Sequence, residues 1–159
     1  MPISLIYAMV LTCDRVLIEK DDDTASAIRM VDIFFVPSKE EVSECAVLLS
    51  ILAVTRFIEA VPIEHSFQLQ LERPSGETKF IGEPHRSSAP GKYENTPSGI
   101  SLRLQLPVAA KEMGVHWMHL WVDGEKVASA PFTLLPGSAR EAKDPKQQEV
   151  SEENSQEEN

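Results

Sequence analysis

The sequence predicts an all-β domain, an antiparallel sandwich of about seven to nine strands. Three observations carry this expectation. Apolar residues alternate with polar ones at period two in several stretches, which buries one face of a strand and wets the other. Turn-forming groups, above all Asp123-Gly124, separate those stretches at close spacing. No stretch holds a sustained helical period.

In chain order, Ile3 to Thr12 and Ala27 to Val36 are rich in β-branched and aromatic residues and read as strands. The acidic turn Asp21-Asp22-Asp23 lies between them. Cys45 to Phe57 is almost continuously apolar. Ser38 and Glu41 upstream have the spacing of a helix capping box, so a helix competes there, but the neighbouring strands favour a strand. Phe67, Leu69 and Leu71 alternate with Gln68, Gln70 and Glu72. Pro74-Ser75-Gly76 then turns the chain into a short strand around Thr78–Ile81. Glu83 to Ser98 has three prolines and no period, and is expected as a long loop. Ile100, Leu102, Leu104 and Leu106 alternate with Ser101, Arg103 and Gln105, and a single helical turn is expected near Ala109–Met113. Val115–Val122 and Lys126–Leu135 flank Asp123-Gly124 as the clearest hairpin of the chain.

After Pro136 the aromatic residues stop and Gln, Glu, Lys and Ser take over. Such a segment buries too little apolar area to offset its ordering entropy. The expected organisation is therefore a sandwich over 1–136 and a disordered acidic tail over 137–159.

The net charge is −10, and from Gly137 onward seven acids against three bases supply −4 of it, leaving −6 on the folded part. Nucleic-acid affinity is built from Lys and Arg that displace counterions, so no nucleic acid is expected as a partner. The same sign disfavours anionic membranes. The apolar run Ile3–Leu11 lacks the preceding basic residues of a signal sequence, and Thr12 stands before Cys13 where a lipoprotein signal has a small residue. A cytoplasmic protein is expected, with Cys13 and Cys45 as buried thiols rather than a disulfide framework.

Two stretches carry a resemblance. IYAMVLTCDRVLIE at Ile6–Glu19 is answered by AIRMVDIFFVP at Ala27–Pro37, and LRLQLPVAAKEMGVHWMHLWVDGEKVASAPFTL runs from Leu102 to Leu134. Together, with Cys13-Asp14, Gly114 and Asp123-Gly124, they resemble a bacterial domain-of-unknown-function family of small immunoglobulin-like β-sandwich proteins. The resemblance covers most of Ile3–Leu135 and implies no activity and no catalytic residue. In immunoglobulin-like folds a Gly-x-Tyr step often opens the penultimate strand. Here Gly114-Val115-His116 places a histidine where the tyrosine would stand.

Candidates for chemistry are few. His116 and His119 are three apart, which on a strand sends them to opposite faces, one at the core edge and one at the surface, where they share no metal. Asp21, Asp22 and Asp23, with Asp14, supply the acids for a Ca²⁺ or small-ligand site, but their spacing matches no calcium loop. There is no Gly-x-Ser-x-Gly step and no glycine-rich phosphate cradle, so no cofactor and no catalytic residue is expected. An enzyme would need a site scattered along the chain. The remaining feature is Trp117, His119 and Trp121. If His116, Met118, Leu120 and Val122 face the core, these three form an outward stripe with Val115 and mark a candidate partner surface. The inverse register buries both tryptophans, and both registers are chemically reasonable. The expected function is a non-enzymatic interaction or structural module with a protein partner.

Overall fold

The computed structural model describes residues 5–18, 25–36, 46–58, 63–88 and 98–137. Among these residues nine strands form: β1 (Leu5–Ile18), β2 (Ala25–Met30), β3 (Ile33–Val36), β4 (Ala46–Phe57), β5 (His65–Glu72), β6 (Thr78–Ser87), β7 (Ser98–Ala109), β8 (Gly114–Val122) and β9 (Glu125–Pro136). They make a four-stranded sheet in the order β2-β1-β4-β7 and a five-stranded sheet in the order β3-β9-β8-β5-β6. All pairings are antiparallel except β3 on β9. No described helix is long and apolar enough to cross a membrane.

The strand order is that of an immunoglobulin-like sandwich. In immunoglobulin lettering β1, β4 and β7 take the places of A, B and E, while β9-β8-β5-β6 repeats the order G-F-C-C′. The core lies between the sheets. From β4 it takes Leu49, Ile51, Ala53 and Phe57, and from β8 it takes Met118, Leu120 and Val122. Phe67 and Leu69 of β5, and Phe132 and Leu134 of β9, complete its centre. Every set is spaced by two or, from Ala53 to Phe57, by four, as one face of a strand requires.

The β8–β9 hairpin closes as the sequence demands. Asp123 (φ 49°) and Gly124 (φ 83°) both lie in the left-handed region, the requirement of a tight turn that matches strand twist. Of the segment Cys45–Phe57, Ala46–Phe57 forms a strand, β4, while Ser38, Glu41 and Cys45 lie outside the described residues.

Four expectations are corrected. The first strand continues past Thr12 to Ile18, because β2 pairs along Cys13–Ile18 and extends the ladder. The single strand over Ala27–Val36 is two strands in different sheets. Arg29 has φ 48°, and the chain then crosses between sheets, with Val31 N–H donating to Thr12 C=O and Thr133 N–H donating to Asp32 C=O at 2.6 Å. Alternation alone does not reveal such a crossing, since strands of either sheet have the same period. The short strand Thr78–Ile81 runs on to Ser87, which takes the first residues of the loop expected over Glu83–Ser98. Its pairing with β5 shifts between Phe67 and Leu69, opposite Gly82 at φ 67°, and Pro84 is tolerated because β6 is an edge strand. The helical turn expected near Ala109–Met113 is a bend that follows β7, with Ala110 buried in the core. The tail beyond Gly137 and the turn Asp21–Asp23 lie outside the described residues.

Candidate functional site

β8 runs through the middle of the five-stranded sheet, and its register decides the tryptophan question. His116, Met118, Leu120 and Val122 are buried, so Val115, Trp117, His119 and Trp121 stand on the outer face. Trp117 is 39% exposed. On this face β5 sets Gln68, Gln70 and Glu72 opposite Trp121, His119 and Trp117, and β9 sets Ser129 opposite His119 and Pro131 opposite Trp117. The Trp121 indole N–H donates to Gln70 Oε1 at 3.2 Å, and its ring meets Phe80 edge-on with centroids 5.5 Å apart.

His119 departs from the surface position expected of it. It lies on the outer face yet is only 5% exposed. Its Nε2 is 2.8 Å from Glu72 Oε2 and its Nδ1 is 2.7 Å from Ser129 Oγ. A neutral ring carrying its proton on Nε2 satisfies both bonds, donating to the carboxylate and accepting from the hydroxyl. The connectivity is that of an acid–histidine–hydroxyl triad assembled from three strands. Acyl transfer also needs donors aimed at a developing oxyanion. Main-chain N–H groups of a sheet lie in its plane, whereas Ser129 Oγ stands above it, so the amides of β8 and β9 themselves are not aimed at a group bound there. The two bonds hold the imidazole at the strand position between Trp117 and Trp121.

His116 occupies the core face, as its spacing from His119 requires, and is fully inside rather than at the core edge. Its ring stacks on Phe132 with centroids 5.1 Å apart, and Nδ1–H donates to Gly114 C=O at 3.1 Å. The histidine thus makes a bond back along the chain from the position where a tyrosine would make one. Burial pushes its pKa below the ordinary 6.5, against an opposing pull from the Gly114 carbonyl. The unfolded chain therefore binds more protons than the fold as pH falls below about 6.5, and stability is lost in that direction. Thermal melts between about pH 7.5 and 5 should show a falling Tm, and His116→Phe, which keeps the stack without a titrating group, should flatten that slope. Equal slopes would remove His116 as its source.

Cys13 is buried with its thiol 3.5 Å from Ser50 C=O, and Cys45 lies outside the described residues. Asp14 belongs to β1, and Asp21, Asp22 and Asp23 lie outside the described residues. No cluster of three or more His, Cys, Asp or Glu that could hold a metal occurs among the described residues. Glu72, Ser129, Gln70 and Phe80 were not singled out by sequence reasoning. Their only signal was polar or aromatic character on the wet face of a strand, and the pairing that joins them is a matter of register. Between β5–β6 and β7 the sandwich also opens into a cleft of about 260 Å³, lined chiefly by Phe67, Leu69, Ile81, Leu102, Leu104 and Leu106.

No family model matches the sequence, and no curated protein matches it. Among solved structures the fold is similar to the Pseudomonas fluorescens alkylpurine DNA glycosylase AlkC bound to DNA containing an abasic site analog. The TM-score is 0.50 and the identity 12%, over 83% of this chain and 30% of that one. At that identity the likeness shows the fold alone. This chain spans about 30% of the glycosylase chain it matches.

Proposed function

We propose that this domain is a non-enzymatic binding module that takes a protein partner on the outer face of its five-stranded sheet, at Trp117, His119 and Trp121. The observation that carries the reading is that both indoles stand on the wet face and that Trp121 is held there by its neighbours. Gln70 and Phe80 fix Trp121, and His119, at the strand position between the two tryptophans, is tied to Glu72 and Ser129. Interface energy concentrates in a few such aromatic anchors, and anchors already held in one rotamer lose little entropy on binding. Val115 and Phe80 widen the apolar surface around them. A net charge of −10 favours a protein over nucleic acid, so the DNA of the glycosylase complex is not carried over. A cytoplasmic place and kinship with the bacterial family resembled in sequence belong to the same proposal.

A photoreactive side chain at Val115 in the full chain tests it. Trp117→Ala is expected to leave the Tm within about 3 °C, as an exposed site should, and to weaken the captured contact by about 30-fold, the effect of losing a 2 kcal/mol anchor. Unfolding by Trp117→Ala, or capture unchanged by it, would sink the proposal.

A further inference from the structure

The opposite surface of the molecule breaks the rule that an antiparallel sheet shows a polar face to water. Tyr7-Ala8-Met9-Val10-Leu11 in β1 and Ile51-Leu52-Ala53-Val54 in β4 are continuous apolar runs, the pattern of strands covered on both faces. Their register splits them. Ala8, Val10, Ile51 and Ala53 face the core, while Tyr7, Met9, Leu11, Leu52 and Val54 share the outer face. Leu52 is buried at the centre of that face, but around it Tyr7 is 46%, Met9 39%, Leu48 60% and Met30 71% exposed.

The charge on this sheet is equally distinct. In a chain of net charge −10, its four strands carry four arginines and one acid, Asp14. Arg15 and Arg29 have partners of their own. Arg56 and Arg103 bracket the apolar strip: Arg56 lies opposite Tyr7 and Arg103 opposite Leu52, so both share the outer face. Among the described residues no carboxylate is on that face. Leu52 and Arg56 are four residues apart on β4, which separates the two cations by about 13 Å along the strands, between two and three turns of a helix.

We propose that this outer face is a second docking surface, fitted to an amphipathic helix that has an apolar stripe flanked by carboxylates. Its apolar stripe covers Met9, Leu48 and Met30, and its acids meet Arg56 and Arg103. Charge selects this occupant over a second copy of the chain. Two such faces brought together would set Arg56 and Arg103 against a surface on which the described residues place no carboxylate to receive them. An anionic membrane is opposed by the charge of the whole chain.

The test uses the full chain and a fluorescein-labelled helical peptide with Leu at i, i+3, i+4 and i+7 and Glu on its flanks, followed by anisotropy. The Glu peptide is expected to bind at least about tenfold tighter than the same peptide with Lys for Glu. Arg103→Glu and Leu48→Glu should each weaken it about tenfold, with the Tm held within about 3 °C because both side chains are exposed. Trp117→Ala, on the other face, should change nothing. Equal binding of the two peptides overturns the proposal. So does binding of phosphatidylglycerol vesicles in place of the peptide, or a dimer in sedimentation that Leu48→Glu dissociates.

Discussion

Replacing Phe132 by alanine should cost about 3–5 kcal/mol of stability, the usual penalty for emptying a buried aromatic site. Phe132 is fully buried on β9 and joins three elements at once. Its ring takes the stacked His116 of β8 and meets Phe34, next to the β3–β9 pairing, edge-on with centroids 6.1 Å apart. Truncation therefore removes core contacts and strips one face from an imidazole whose protonation the core opposes. Urea unfolding should show a midpoint shifted by that amount with an unchanged m-value. A loss below about 1 kcal/mol would mean that the sheets do not close over this position. Since domains of this size hold about 5–15 kcal/mol in all, much of the stability rests on this ring.

The second large effect is expected at Asp123. Its carboxylate accepts from Ser66 N–H at 2.8 Å and is 2.7 Å from His65 Nδ1, while its own N–H donates to Ser66 C=O at 2.9 Å. One turn residue thus ties the β8–β9 hairpin to the start of β5. His65 is buried and stacked on Phe57 with centroids 3.9 Å apart, and its Nε2 has no partner among the described residues. Without Asp123 both ring nitrogens would be buried and unpaired, at about 1–3 kcal/mol. Alanine adds the strain of φ 49°, which glycine avoids and asparagine tolerates. The expected order of destabilisation is Asn, then Gly, then Ala, with Ala near 3 kcal/mol. Chemical denaturation of the three variants reads the order directly. Asn as costly as Ala would assign the effect to charge, and Gly as mild as wild type would assign it to the backbone.

Much of the architecture is legible in local pattern. Period-two alternation at Phe67–Leu71 and Ile100–Leu106 places β5 and β7, and Asp123-Gly124 places the last hairpin, because strand periodicity and turn dihedrals are properties of adjacent residues. The crossing at Val31–Asp32 and the extension of β6 through Pro84 were hidden. Each depends on which strand lies alongside, and partners there are distant in sequence. The candidate site divides in the same way. Trp117, His119 and Trp121 stood out as a stripe, whereas Glu72 and Ser129 gained meaning only once β5 and β9 flanked β8 and brought a carboxylate and a hydroxyl to the two nitrogens of one ring.

By itself the sequence determined that the chain is a β-sandwich, and where its clearest strands and its tight turn lie. The tertiary structure alone decided which face of β8 is wet. Either register puts a chemically reasonable set of side chains inside, and the choice is made by core volume: Met118, Leu120 and Val122 fit between sheets already filled by Phe67, Phe132 and Ile51, and two indoles in their place would overfill that space. The same closure left the apolar backs of β1 and β4 turned outward. Local pattern marked those strands as covered on both sides, whereas the packed fold leaves Tyr7, Met9 and Leu48 exposed on the outer one.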